Sequence, residues 1–150
     1  MTFDKSRSAG VLASDIARLY TAALQNRLQP LKLSPAQFLA LNELWMDDGL
    51  TQSDLTLRLG VEQATMANTL SRMQRDGLIE RRPHPEDRRS QQVWLSHHAQ
   101  TLQAPATLAA VTANDLVLKG LPEAERALFV SMMGRVAAAL RGVSAERPES

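Results

Sequence analysis

The side chains of this sequence with the most chemical capacity are guanidinium groups set close together. Arg81, Arg82, Arg88 and Arg89 lie in the run GLIERRPHPEDRRSQQVWLS, around a segment that also holds two prolines and two acids. A guanidinium is permanently charged, and its planar fork of donors matches a phosphate or the acceptor edge of guanine. Just upstream, in VEQATMANTLSRMQRDG, helical spacing sets Met66, Leu70 and Met73 on one face. The opposite face then carries Asn68, Ser71, Arg72 and Arg75, with Gln63 and Thr65 exposed at the N-terminal end. Glutamine and asparagine pair bidentately with adenine, and arginine with guanine or phosphate. The chemistry on offer is recognition of a polyanion by hydrogen bonds and charge.

Bond-making chemistry has no comparable support. His97 and His98 are adjacent, so on a helix they diverge by about 100° and chelate poorly. His84 stands alone in the arginine-rich loop, and no H-x-x-x-H pair, Ser-His-acid set or phosphate-cradling glycine loop occurs. Catalytic residues, metals and cofactors are therefore not expected. The chain contains no cysteine, which excludes disulfides, cysteine-based zinc sites and thiol redox sensing. Net charge is only +1, so any claim of nucleic-acid binding must rest on where the charges lie.

The elements that must position these groups are mostly helical. With 44% hydrophobic and 22% charged residues in 150, the composition is that of one globular domain. No apolar run approaches a membrane span and MTFDKSRSAG lacks the apolar core of a signal peptide, so the expectation is a cytoplasmic protein without a membrane partner. Val11, Leu12, Ile16, Leu19, Tyr20 and Leu24 mark a first helix, stopped before Pro30. SPAQ starts a second, with Ser34 as N-cap, Pro35 in first position and Gln37 three residues after the cap. Thr51 and Asp54 repeat the pattern for a short third helix ending at Leu59-Gly60, and a fourth runs from about Glu62 to Asp76. Two compact helices joined through Leu59-Gly60-Val61 predict a helix-turn-helix.

Two β-prone runs, LIERR and QQVWLS, then flank the arginine loop, with Val93 and Leu95 alternating with Gln92 and Trp94. A hairpin in this place makes the winged variant, whose loop projects from the surface that carries the recognition helix. The pattern is helical again from Ser96, with Pro105 bending that helix or delaying its start. GLPEAE opens a last helix with Pro122 in first position, followed by Leu128, Met132, Val136 and Leu140 at spacings of four.

Taken together, LTQSDLTLRLGVEQATMANTLSRMQRDGLIERRPHPEDRRSQQVWLS resembles the core of the MarR family of bacterial transcription regulators. Asp87-x-Arg89 followed by Val93-x-Leu95-Ser96 carries the most characteristic part of the resemblance. It implies one mainly α domain over residues 1–150, with a small β-hairpin wing. The winged helix-turn-helix would occupy about 35–96, and dimerisation helices about 8–29 and 97–143. It implies a homodimeric repressor of double-stranded DNA that reads an inverted repeat with Gln63, Thr65, Asn68, Arg72, Arg88 and Arg89. Arg89 would enter the minor groove, with Asp87 holding its guanidinium in place. Leu128, Met132, Val136 and Leu140 would face a second copy, where internal packing is the alternative. Many family members bind a small anionic aromatic effector, and Arg18, Tyr20, Trp45 and His98 are the candidates for such a site here.

The sequence also departs from the family pattern. Glu62-Gln63-Ala64 stands where Ser-Gln-Pro is common, and Asn68 where a basic residue is frequent. Both changes imply an altered operator preference or weaker phosphate affinity. A competing function is a winged domain that binds an acidic protein partner through the arginine loop. Sequence-selective DNA binding separates the two.

Overall fold

The computed structural model describes residues 1–145, with side chains described through residue 143. In order, the elements are α1 (Ala9–Leu28), α2 (Pro35–Met46), β1 (Leu50–Thr51), α3 (Gln52–Leu59), α4 (Gln63–Arg75), β2 (Ile79–Pro83), β3 (Gln91–Leu95), α5 (His97–Thr101), α6 (Gln103–Leu118) and α7 (Glu123–Ala145). The chain divides into two compact units, residues 1–113 and the stretch from Asn114 on. No helix among the described residues is long and apolar enough to cross a membrane.

Local chemistry starts the helices of the first unit. Ser34 accepts from the Gln37 N–H while the Gln37 side chain accepts from the Ser34 N–H, at 3.2 and 3.0 Å, a closed capping box with Pro35 next to it. Thr51 and Asp54 close the same reciprocal pair at the start of α3, at 3.1 and 2.9 Å. That bonding holds the Asp54 carboxyl below its ordinary value of 3.8, with the Thr51 backbone N–H as the largest cause. Gly60 ends α3 at φ +64, a left-handed conformation that lets the chain turn sharply into α4.

One buried cluster joins these elements. Leu24 and Leu28 of α1, Leu41 and Leu44 of α2, Leu55 of α3 and Val93 of β3 all have almost no exposed surface. Met66, Leu70 and Met73 complete it from α4, as their spacing predicts. Leu59 and Val61 pack against the cluster from either side of the turn. A cross-brace of ions lies outside it: Arg58 of α3 reaches Asp47 at 2.7 Å and Glu43 at 3.6 Å, which raises its pKa further.

The sheet is antiparallel with order β1-β3-β2, and β3 pairs Val93 with both Leu50 and Arg81. Strand β1 was not expected. It is two residues long and carries too little pattern to be seen, but Leu50 is buried and draws the chain against β3. Asp48 fastens the approach, its Oδ1 accepting from the N–H groups of Gly49 and Leu95, both at 3.0 Å. Ser96 closes the hairpin base: its Oγ caps α5 by accepting from Ala99 N–H and donates to Gly77 O at 2.7 Å.

Two helix starts differ in detail from the expectation. α5 ends at Thr101 and α6 starts at Gln103, so Pro105 sits in the first turn of a new helix, where its missing N–H is not needed. Pro122 lies just outside α7, which begins at Glu123; its carbonyl accepts from Glu125 N–H at 2.9 Å.

Trp94 finds its place here. A Cβ on Gly49, which has φ +79, would come within 2.6 Å of the Trp94 ring, so the indole lies where only glycine leaves room. Arg82 covers the same ring at 5.1 Å, a cation-π contact. Gly49→Ala is expected to cost about 1–3 kcal/mol of stability through overpacking and the left-handed backbone. Urea unfolding of the two proteins checks it.

A pH dependence follows from the depressed carboxyls. Asp76 is held low as well, first by Arg75 and then by Gln37. A carboxyl with a lower pKa folded than unfolded stabilises the fold above its unfolded value, and that stability is lost as pH falls through the folded value. Melting temperature should therefore fall between about pH 5 and pH 3. Asp54→Asn, which keeps the capping acceptor without the charge, should fall less over the same interval.

Candidate nucleic-acid interface

The burial of Met66, Leu70 and Met73 turns the other face of α4 to solvent. Gln63, Thr65, Asn68, Ser71, Arg72 and Arg75 are all exposed on it. The helix begins at Gln63 with Glu62 as N-cap, and Glu62 makes no side-chain capping bond. Gln52, the first residue of α3, meets Gln63, the first of α4: its Nε2 donates to Gln63 Oε1 at 3.1 Å and to Gln63 O at 3.4 Å. At the other end, Asp76 caps α4 and accepts from Gln37 Nε2 at 3.2 Å.

The wing is a built loop. His84 N–H donates to Ser90 O and Ser90 N–H to Asp87 O, both at 3.1 Å, so the loop is crossed by backbone bonds. The His84 ring adds an acceptor: Nδ1 receives the N–H groups of Glu86 and Asp87, at 3.1 and 3.2 Å. Asp87 Oδ1 accepts from the backbone N–H of Arg89 at 3.0 Å. The expectation for Asp87 was the Arg89 guanidinium. A carboxylate two residues ahead of an N–H is placed for an Asx turn, and that shorter reach takes the acceptor. Asp87 thus shapes the backbone from which Arg89 projects. His84 was passed over in the sequence, because a lone histidine in a polar loop gives no signal of its ring's bonding.

The four arginines divide by role. Arg81 Nε donates to Gln74 Oε1 of α4 at 3.1 Å, tying the wing to the recognition helix. Arg82 pairs with Glu80 at 3.3 Å and lies over Trp94. Arg88 and Arg89 stay exposed at the tip. Between helix and wing runs a cleft of about 330 Å³, with Gln52, Ser53 and Gln63 on one side and Arg81, Arg89 and Gln91 on the other. The structure therefore brings Gln63 and Arg89 to one surface. That surface offers amide donors and acceptors beside guanidinium groups, the chemistry that reads base edges and holds phosphates.

The other candidates are placed separately. His98 lines a cleft of about 490 Å³ with Pro30, Leu31, Lys32, Asp76, Leu78 and Leu102. Arg18, Tyr20 and Trp45 do not line it. Arg18 is exposed and pairs with Asp15 at 3.3 Å, and Tyr20 packs half-buried on the core. Trp45 is held by a bond from Nε1–H to Ala99 O at 3.1 Å and stands edge-on to Phe38 at 6.2 Å. On α7, Leu128, Met132, Val136 and Leu140 are 60, 44, 59 and 63% exposed.

Comparison with known proteins bears on the fold that holds these residues. The MarR family profile matches residues 33–91. A crystal structure of MarR is 30% identical and superposes with a TM-score of 0.76, covering 87% of this chain and 96% of that one. The PcaV transcriptional regulator from Streptomyces coelicolor, in complex with its natural ligand, is 26% identical with a TM-score of 0.79 over 93% of this chain and 99% of its own. The fold is also that of BpsR from Bordetella bronchiseptica, whose DNA binding is regulated by 6-hydroxynicotinic acid. It gives a TM-score of 0.84 at 23% identity, over 91% of this chain and 98% of that one.

Arg89→Ala removes an exposed side chain that makes no core contact. It should lower DNA affinity by about 1–3 kcal/mol and leave the melting temperature unchanged. Binding isotherms on a selected duplex test this, and an unaltered Kd in the folded variant rules the wing contact out.

Proposed function

Because the chain belongs to the MarR family of winged-helix DNA-binding transcription regulators, we propose that it acts as a homodimeric repressor released by a small ligand. The observation that carries the DNA-reading part is the shared cleft of Gln63 and Arg89, open to solvent and backed by packed structure. Gln63, Thr65 and Asn68 read bases in the major groove. Arg72 and Arg88 hold phosphates, and Arg89 enters the minor groove, whose negative potential attracts guanidinium.

The dimer is argued from α7. Four large apolar side chains repeat every fourth residue on one exposed face, which is costly for a helix left in water. A second copy covering Leu128, Met132, Val136 and Leu140 removes that cost. Two-fold symmetry then requires two recognition helices about one DNA turn (~34 Å) apart, reading an inverted repeat. A dimer seated on a promoter excludes polymerase, which makes repression the simplest consequence.

The cleft of His98 is our choice for the effector. Leu31, Leu78 and Leu102 give it an apolar lining, and Lys32 supplies a cation, a combination suited to a small aromatic carboxylate. PcaV, a relative, binds a natural ligand. Asp76 lines this cleft and also caps α4, so an occupant here touches the end of the recognition helix. An effector that binds better when α4 is displaced shifts the population away from the DNA-bound form.

Selection of bound duplexes from a random DNA library, at near-physiological salt, tests the proposal. An inverted repeat with half-sites about one turn apart is expected, and small aromatic carboxylates are then screened for release of that duplex. A folded sample that enriches no sequence would favour a wing that binds an acidic protein.

A further inference from the structure

We propose that Gln52 is a positioning residue that fixes the polarity of Gln63, so that the recognition helix asks for a hydrogen-bond acceptor on the base it faces. The inference rests on the reading of Gln63 as a base-contacting residue. A glutamine amide carries a donor arm and an acceptor arm, and rotation by half a turn exchanges them. An unrestrained Gln63 therefore accepts either kind of base edge.

Gln52 removes that freedom, and the geometry fixes which way. Its amide end lies 3.4 Å from the backbone carbonyl of Gln63 and 3.1 Å from the Gln63 side chain. A backbone carbonyl only accepts, so the end of Gln52 that faces α4 is its nitrogen. The side-chain atom of Gln63 that meets the same nitrogen must then be oxygen. With Oε1 engaged, the NH2 arm of Gln63 is the one left for DNA. Gln52 is itself well anchored as the first residue of α3, behind the Thr51–Asp54 capping box, and its carbonyl accepts from Thr56 Oγ1 at 2.8 Å.

The consequence is a changed base preference. Residue type alone suggests adenine, which needs glutamine to accept from N6 and donate to N7. A Gln63 presented as a donor matches guanine best, since O6 and N7 both accept, and disfavours cytosine, which offers only the N4 donor in the major groove.

The test is selection from random DNA with the full chain and its Gln52→Ala, Gln52→Glu and Gln63→Ala variants, with melting temperatures measured alongside. The unaltered protein should enrich a half-site in which one base pair shows a guanine preference that Gln63→Ala abolishes. Gln52→Ala should weaken discrimination at that same pair by about fivefold or more and leave the other positions as they were. Gln52→Glu offers only acceptors, so it should turn the Gln63 amide round and move the preference towards bases that donate, adenine or cytosine. Gln52→Ala retaining full discrimination at the pair lost in Gln63→Ala overturns the proposal. A uniform loss across all positions does so too, because that is the mark of a structural role. If the unaltered protein enriches nothing, the DNA-reading premise has failed, and this inference falls with it.

Discussion

The burial of Met66, Leu70 and Met73 sets the rotational phase of the recognition helix, and the rest of the interface depends on it. Successive residues of a helix are about 100° apart, so a rotation by one position carries this stripe out of the core. Each side chain contributes roughly 1.5–3 kcal/mol by its burial, which makes such a rotation prohibitive on the scale of a domain's total stability. The polar face is therefore aimed by what lies behind it. Gln63, Asn68 and Arg72 point outward because the three apolar residues cannot. The closed ends reinforce this phase: Gly60 sets the entry angle of α4, and Gln37 grips Asp76 at its exit.

The wing obeys the same logic with fewer contacts. Its base is tied down by Ser96, Asp48 and the buried Val93, while its tip is shaped by His84 and Asp87 acting on backbone N–H groups. A loop ordered in advance loses less entropy when it binds, so in the proposed DNA contact the Asx turn of Asp87 would serve affinity even without touching the guanidinium of Arg89. Arg81 and Arg82 are spent on holding the hairpin in place.

Much of this was legible in the sequence because it is local. Ser34 with Gln37, Thr51 with Asp54, and the Leu59-Gly60-Val61 turn each specify a cap or corner within a few residues, and the structure has them where the spacing puts them. The stripe of α4 was equally plain. What stayed hidden depends on partners distant in the chain. β1 exists because Val93 lies opposite Leu50, and Trp94 is accommodated because Gly49, 45 residues earlier, has no side chain. The bond from Gln52 to Gln63 needs two helix starts brought together by the fold, and neither residue announces it.

Charge placement explains how a chain with a net charge of only +1 can keep some of its arginines outside its ion pairs. Among the described residues, the ion pairs engage Arg18, Arg58, Arg75 and Arg82. Arg72, Arg88 and Arg89 enter none of them. The ion pairs thus take up arginines other than these three, while Glu86 and Asp87 share the wing tip with Arg88 and Arg89. A guanidinium already paired with a carboxylate must give up that partner before it can hold a phosphate, which lowers the net gain. These three arginines carry no such cost. With a net charge near zero, the proposed DNA binding would draw little on long-range attraction and would rest on the contacts that the packed scaffold aims.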